Sequence, residues 1–275
     1  PLPPVVRTID IPAAGPWPAA HLLCSAPQDG AALVLLDCPG LYERPGGPYV
    51  DATGKDHGDN AWRFGFLCHV AAWLGSPDSP WPHWQADVVH GNDWPCGLAP
   101  LYLAQAPVDA TRPRAATVMT IHNLAFQGVY PMDVASQLGI APEWRTVHGA
   151  EYWGQMSMLK AGLQTADAIT TVSPTYAREI QQAALGFGLD GVLRDKAQRL
   201  HGILNGIDTR VWNPQHDPLI AQPFSAHTLQ HKAANKQALQ QRCGLAPRPD
   251  ALLLGLVGRL TWQKGIDLVV ALLPW

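Results

Sequence analysis

The side chains best suited to chemistry lie in short polar segments, each following directly on an apolar run. His90-Gly91-Asn92-Asp93-Trp94 follows Asp87-Val88-Val89 and offers an amide, a carboxylate and an aromatic face in succession. That set suits sugar hydroxyls and the apolar face of a ring. A plainer reading of the same residues has Asp93 capping the following helix and Trp94 packing beneath it. Thr120-Ile121-His122-Asn123-Leu124-Ala125-Phe126-Gln127-Gly128 repeats the arrangement after a second apolar run. His122 counts as a candidate only together with Asn123 and Gln127, because a histidine at a strand end is more often a structural hydrogen-bonding group. Leu204-Asn205-Gly206-Ile207-Asp208 adds a further polar turn. In the segment Gly255 to Gly265, Arg259 and Lys264 flank a loop leading from a strand into a helix. Two cations and a helix amino terminus would converge there on an anion, and a diphosphate fits, with Arg gripping oxygens as a fork and Lys acting as a point charge. A solvated loop bearing a surface Arg and Lys is the alternative.

Other patterns carry less. Gly186-Phe187-Gly188-Leu189-Asp190-Gly191 matches G-x-G-x-x-G as a string, but a dinucleotide loop needs a strand before it and the preceding 179–185 reads as helical. It is taken as a glycine-rich turn. His227 and His231 stand one helical turn apart, yet no third ligand lies near them, so a solvated helix face is expected and no metal site.

These segments need elements to hold them. Strand-forming runs are expected at 32–37, 86–90, 117–122, 168–172, 199–204 and 252–257, and several are apolar on both faces, as buried parallel strands are. Helices are expected at 61–74, 97–105, 156–165, 175–184, 228–242 and 266–273, with Ser173-Pro174 a cap followed by proline at the first helical position. Alternating strand and helix imply a parallel sheet covered on both faces, with ligands beyond the carboxyl ends of its strands. The polar segments fall at those ends. The stretch 212–226 has no periodicity and reads as a long connection or a boundary between halves.

Composition narrows the partners. With 275 residues and a soft prior of about 150 residues per domain, two compact domains or one large α/β unit fit. The 47% hydrophobic content is ordinary, 15% charged residues is low, and the net charge is -3. No basic field exists to attract nucleic acid or an acidic membrane, and no apolar run approaches the length of a membrane span. Cys24, Cys38, Cys68, Cys96 and Cys243 form no Cys-x-x-Cys pair, so reduced, mostly buried thiols of a cytoplasmic protein are expected. The chain opens Pro1-Leu2-Pro3-Pro4 without methionine or signal segment and closes at Pro274-Trp275, which reads as a fragment.

Ordered, unevenly spaced blocks along nearly the whole chain resemble the bacterial glycogen synthases and plant starch synthases. They are Asp37-Cys38-Pro39-Gly40-Leu41-Tyr42-Glu43-Arg44-Pro45-Gly46-Gly47-Pro48-Tyr49, the segments from His90 and from His122, Leu159-Lys160-Ala161-Gly162-Leu163, Thr171-Val172-Ser173-Pro174-Thr175-Tyr176-Ala177, Leu204 to Asp208, and Arg259 to Gly265. The resemblance implies an α/β fold of GT-B type, with a Rossmann-like parallel-sheet first half and the truncated start of a second Rossmann-like half. Residues 1–204 would be a starch synthase catalytic domain incomplete at its start, and 205–275 the beginning of a C-terminal glycosyltransferase domain. It further implies a hexosyltransferase that moves glucose, with retention, from ADP-glucose to the non-reducing end of an α-1,4-glucan, with no cofactor or metal. Adenine and uridine donors are not distinguished by the residues themselves.

By the same likeness His122 would sit beside the transferred glucose, with Asp93, Trp94, Asn123 and Gln127 lining the sugar and acceptor side. Tyr49 would contact sugar or glucan, Asn205 would lie near the hinge, and Arg259 and Lys264 would hold the diphosphate. Asn92, histidine in some relatives, is given no catalytic role. Two family features do not occur in the chain, a Lys-x-Gly-Gly loop near the start and a glutamate pair late in the second half. The fragment alone is therefore expected to be inactive. The competing readings are a Rossmann oxidoreductase, which lacks its glycine fingerprint, and a noncatalytic glucan-binding paralogue, which the 11 tryptophans favour.

Overall fold

The computed structural model describes residues 3–28, 30–106 and 111–272. In chain order its elements are β1 (Val5–Ile11), β2 (Ala20–Ser25), β3 (Val34–Asp37), α1 (Pro39–Tyr42), α2 (Asn60–Leu74), β4 (Val88–Asn92), α3 (Leu98–Gln105), β5 (Ala116–Ile121), β6 (Val129–Pro131) and α4 (Met132–Gln137). There follow β7 (Glu151–Tyr152), β8 (Gln155–Ser157), α5 (Met158–Thr165), β9 (Ala168–Thr171), α6 (Pro174–Glu179), α7 (Asp190–Asp195), β10 (Leu200–Gly202), α8 (Lys232–Arg242) and α9 (Ile266–Leu272). Two compact units divide between Asn205 and Gly206.

A parallel sheet in the order β10-β9-β5-β4 carries the first unit, as the strand and helix alternation predicts. Met119, Ile121 and Ile169 on its strands pack on Leu159 and Leu163 of α5 and on Leu189 and Leu193. A second cluster joins α2 and α3, through Phe66, Leu98 and Leu101, to Ile9, Ile11 and Leu22 of an antiparallel β1-β2-β3 sheet and to Trp17 between β1 and β2. Trp17 lies stacked on Phe66 at 5.5 Å.

Polar groups that the core cannot leave unpaired fix the connections. Asp167, just before β9, accepts from Arg114 and from the backbone and hydroxyl of Thr117, which ties the starts of β5 and β9. The Arg114 guanidinium, aided by Thr117 and opposed by burial, holds the Asp167 pKa down at about 2. Ser157 caps α5 by accepting from the Lys160 amide, and Ser173 caps α6 through Tyr176 with Pro174 at the first position. The buried Lys160 ammonium donates to the carbonyls of Val147, Gly149 and Glu151, and burial lowers its pKa.

Several expected elements change. The run at 32–37 pairs antiparallel with β2 rather than joining the parallel sheet. The sequence does not predict β2 or the β1 that pairs with it, and of β1 only the alternate residues Ile9 and Ile11 are buried. The strand expected at 252–257 does not form: the second unit's described residues hold no strand to pair with it, and Leu252 and Leu254 are 84% and 83% exposed. Helix 156–165 starts later because Gln155–Ser157 is a strand, and helix 175–184 stops at Glu179. A 3-10 turn, Leu229–His231, occupies the start of the expected helix 228–242. Position 273 lies outside the described residues. All five cysteines are free, with Cys24, Cys38 and Cys68 buried, Cys96 half-buried and Cys243 exposed. No helix among the described residues is long and apolar enough to cross a membrane.

Two glycines set the spacing of the layers. A Cβ on Gly97, just before α3, would fall on the Met158 carbonyl, and one on Gly162 of α5 would lie 2.7 Å from the Gly97 oxygen. Replacing Gly97 by alanine is expected to cost about 3 kcal/mol or more, since rigid backbone must move. Gly206→Ala, whose Cβ meets nothing within 4 Å, should stay near wild type. Urea denaturation of both variants checks the contrast, and equal midpoints would contradict it.

Candidate active site

The parallel register pairs Asn92 with Thr120, so β4 and β5 end side by side. Their next residues, Asp93 and His122, are the first free of the sheet. The Asp93 amide donates to the Thr120 carbonyl at 2.9 Å, and its carboxylate accepts from the backbone N–H of His122 at 2.7 Å and of Asn123 at 3.3 Å. One carboxylate thus holds the opening of the neighbouring loop. Asp93 makes no capping bond to the turn that follows it, so the capping reading fails.

Its backbone sits at φ 56 and ψ -174, a region that essentially only glycine adopts. Such a conformation costs about 1–3 kcal/mol and persists where surrounding contacts over-determine it. Here those contacts are the three hydrogen bonds to residues 120–123.

His122 is exposed, and its Nε2 lies 3.0 Å from the Asn92 side-chain oxygen. Asn92, given no role from the sequence, is therefore the group that orients the ring. The signal is its place at the strand end, directly before Asp93 and paired with Thr120, two residues short of His122. Asn123 turns its own side-chain oxygen to the Ala125 amide, and the Tyr176 hydroxyl of α6 accepts from the Leu124 amide. Behind them His90 and the hydroxyls of Thr120 and Thr170 form a hydrogen-bonded row across the sheet.

Trp94 packs edge-on to Phe64 of α2 at 4.8 Å and near Tyr130, with Tyr49 at 5.8 Å. Gly128 lies against the indole and has no room for a side chain. Tyr49 is half-exposed at the outer side of this cluster, and its carbonyl accepts from Asn60 of α2. Gln127 differs from expectation. It is buried, donating to the Phe187 carbonyl at 2.9 Å while its side-chain oxygen has no partner, so it braces the loop from beneath. Its backbone oxygen takes the Leu159 amide and the Ser157 hydroxyl.

Asn205 is exposed and ends the first unit. Arg259 and Lys264 belong to the second unit, where both are exposed on a tight turn in which Thr261 bonds to each backbone. The first unit therefore groups Asn92, Asp93, His122 and Asn123, with Trp94 and Tyr49 beside them through the turn after β4. The Gly186 to Gly191 segment follows a turn rather than a strand, which removes the dinucleotide reading. His227 precedes the 3-10 turn and His231 ends it, so they share no helix face. No group of three metal-binding side chains occurs among the described residues.

Asp93→Gly should relieve the backbone while releasing residues 122–123. Losing hydrogen bonds to a charged group, worth about 1.5–3 kcal/mol, is expected to speed amide exchange in peptides covering 120–126 at least tenfold, with little change in Tm. Unchanged exchange would mean that the carboxylate does not hold the loop.

The sequence matches the starch synthase catalytic domain family over residues 8–195. A glycogen synthase of Paracidovorax citrulli is 61% identical over 266 residues, covering 94% of this chain and 52% of its own. A glycogen synthase of Aromatoleum aromaticum is 53% identical over 268 residues, covering 98% and 53%. The chain spans about half the length of the curated relatives it matches. Among solved structures, the catalytic domain of starch synthase IV from Arabidopsis thaliana, bound to ADP and acarbose, superimposes with a TM-score of 0.73 at 26% identity, over 97% of this chain and 53% of that one. The first unit, with its parallel sheet, has the Rossmann-like α/β architecture of a GT-B half. With the matched family spanning most of the first unit and the strand ends built as described, this chain belongs to the starch synthase catalytic domain family.

Proposed function

We propose that the protein of which this chain is part is a glycogen synthase that transfers glucose, with retention, from ADP-glucose to the non-reducing end of an α-1,4-glucan in the cytoplasm. The observation that carries the reading is the Asp93 carboxylate binding the His122 and Asn123 amides, which sets a histidine, two amides and an aromatic cluster at adjoining strand ends. The names of the relatives support the reaction, and the ADP and acarbose bound to the starch synthase IV domain support an adenine donor and a glucan-like acceptor. Free thiols support the reducing compartment.

In this reading His122 stands beside the transferred glucose, Asn92 fixes its ring, and Asp93 positions the loop. Asn123, Trp94 and Tyr49 meet the sugar and acceptor, Gln127 braces them, and Asn205 lies toward the hinge. As the glucose–phosphate bond breaks, negative charge grows on the departing diphosphate and positive charge on the sugar. Arg259 and Lys264 stabilise that diphosphate, where fixed cations lower the barrier most directly. The acceptor 4-hydroxyl attacks from the face the diphosphate leaves, and its proton passes to the leaving phosphate. No strong protein base is needed, in keeping with an Asp93 oxygen already committed to two amides. Residues 1–204 form the first catalytic domain and 205–275 the beginning of the second.

Transfer of labelled glucose to glycogen by the full-length protein, with ADP-glucose and UDP-glucose compared, tests the donor. Preference for ADP-glucose is expected, and none of either by the 275-residue chain alone; preference for UDP-glucose would overturn the donor assignment. Arg259→Ala and Lys264→Ala are each expected to lower kcat about 10²-fold or more with Tm unchanged. Wild-type turnover in both would leave them as surface cations on a solvated loop.

A further inference from the structure

Two bulky residues near the candidate site are held in conformations that suit neither. Trp153 and Gly154 form the two-residue turn joining β7 to β8, with Tyr152 paired to Gln155 and φ values of 52 and 79. Both central residues at positive φ make this a type I′ turn, which prefers Asn or Asp where the tryptophan stands. Phe187 repeats the pattern at φ 49, followed by Gly188 at φ 79. A bulky residue in this region is an outlier, and such strain collects at functional sites. Neither ring gains burial in return, because Trp153 is 81% and Phe187 45% exposed. Among the described residues neither ring is in contact with another ring.

The two are neighbours. The Tyr152 hydroxyl donates to the Phe187 carbonyl at 2.8 Å, and the Trp153 indole nitrogen lies 3.6 Å from where a Cβ on Gly188 would stand. The same Phe187 carbonyl accepts from Gln127, on the loop that begins at His122 and bears the half-exposed Phe126. Hydrogen bonds thus hold the two segments that carry these exposed rings next to each other and tie the second to the His122 loop. Flat rings with one indole donor match the apolar face and hydroxyl edge of a hexose.

We propose that Trp153 and Phe187 form a platform that binds the α-1,4-glucan acceptor away from the reacting residue, so that a chain whose end lies at His122 continues over both rings. This rests on the proposed transfer to a glucan. Trp153 then sets the preference for long acceptors over short ones, because only a chain long enough to reach it gains the contact.

Trp153→Asn in the full-length protein is the direct test, since asparagine suits the turn and the fold is not at stake. Phe187→Asn is the second variant. Affinity electrophoresis in glycogen gels without donor and initial rates with maltoheptaose are the measurements. The dissociation constant for glycogen and the KM for maltoheptaose are expected to rise about tenfold, with the KM for the donor unchanged and the Tm of Trp153→Asn raised. Unchanged glucan constants in both variants would overturn the proposal. So would unchanged constants with a loss of self-association in sedimentation, which would assign the rings to a subunit contact. Absence of transfer by the wild-type protein would fail the functional reading instead, and is separable because the gel needs no donor.

Discussion

The close approach of Gly97 to the backbone of Met158 and Gly162 is the constraint on which the first unit is arranged. Met119 of β5 fills the space left, its sulfur 3.1 Å from a Cβ on Gly91 and 3.2 Å from one on Gly162. Three glycines and one flexible thioether therefore fix how far β4, β5 and α5 stand apart. Because the 3-10 turn Trp94–Cys96 runs from Asp93 straight into Gly97, the depth at which Asp93 leaves the sheet follows from the same contact. A side chain at Gly97 would lift the turn, and the carboxylate would no longer meet the amides of β5's loop. Packing at one face of the sheet and chemistry at its end are one geometric problem here.

A second constraint holds the loop between α1 and α2. The buried Arg63 donates to the carbonyls of Leu41 and Pro48 and to the Asn60 side chain, and its guanidinium faces the rings of Tyr42 and Phe64. Asn60 passes the restraint to the Tyr49 carbonyl. An irregular segment is thereby anchored by hydrogen bonds from α2 as well as by its own turns, and Tyr49 reaches the Trp94 cluster without a strand to carry it. Burial of a guanidinium is tolerated because three of its donor contacts end on oxygens and its plane lies against two rings.

Much of this was legible in the residues, for reasons that particular positions make clear. The runs at β4, β5 and β9 begin apolar and β-branched, and such a run reads as a strand whatever covers it. His122, Asp93 and Asn123 stand out together because two polar segments follow two such runs, although each residue alone also has a structural reading. Gln127 looked the same in sequence, yet it faces inward, since nothing local reveals that a carbonyl from residue 187 waits for its amide. The left-handed Asp93 was equally hidden, because glycine, which announces such a backbone, is not used there. The strand expected at 252–257 has the composition of a strand, but pairing is supplied by neighbours and not by composition.

Lys160 can be viewed as an ion rather than as a side chain. Three carbonyl oxygens, from Val147, Gly149 and Glu151, surround its ammonium much as backbone oxygens surround a metal in a binding loop. The difference is that this cation is covalently attached, so its local concentration never falls. The segment that leads into the Trp153 hairpin is thus a chelate with a tethered guest, insensitive to dilution, to ionic composition and to any chelator that would strip a free ion from such a cage.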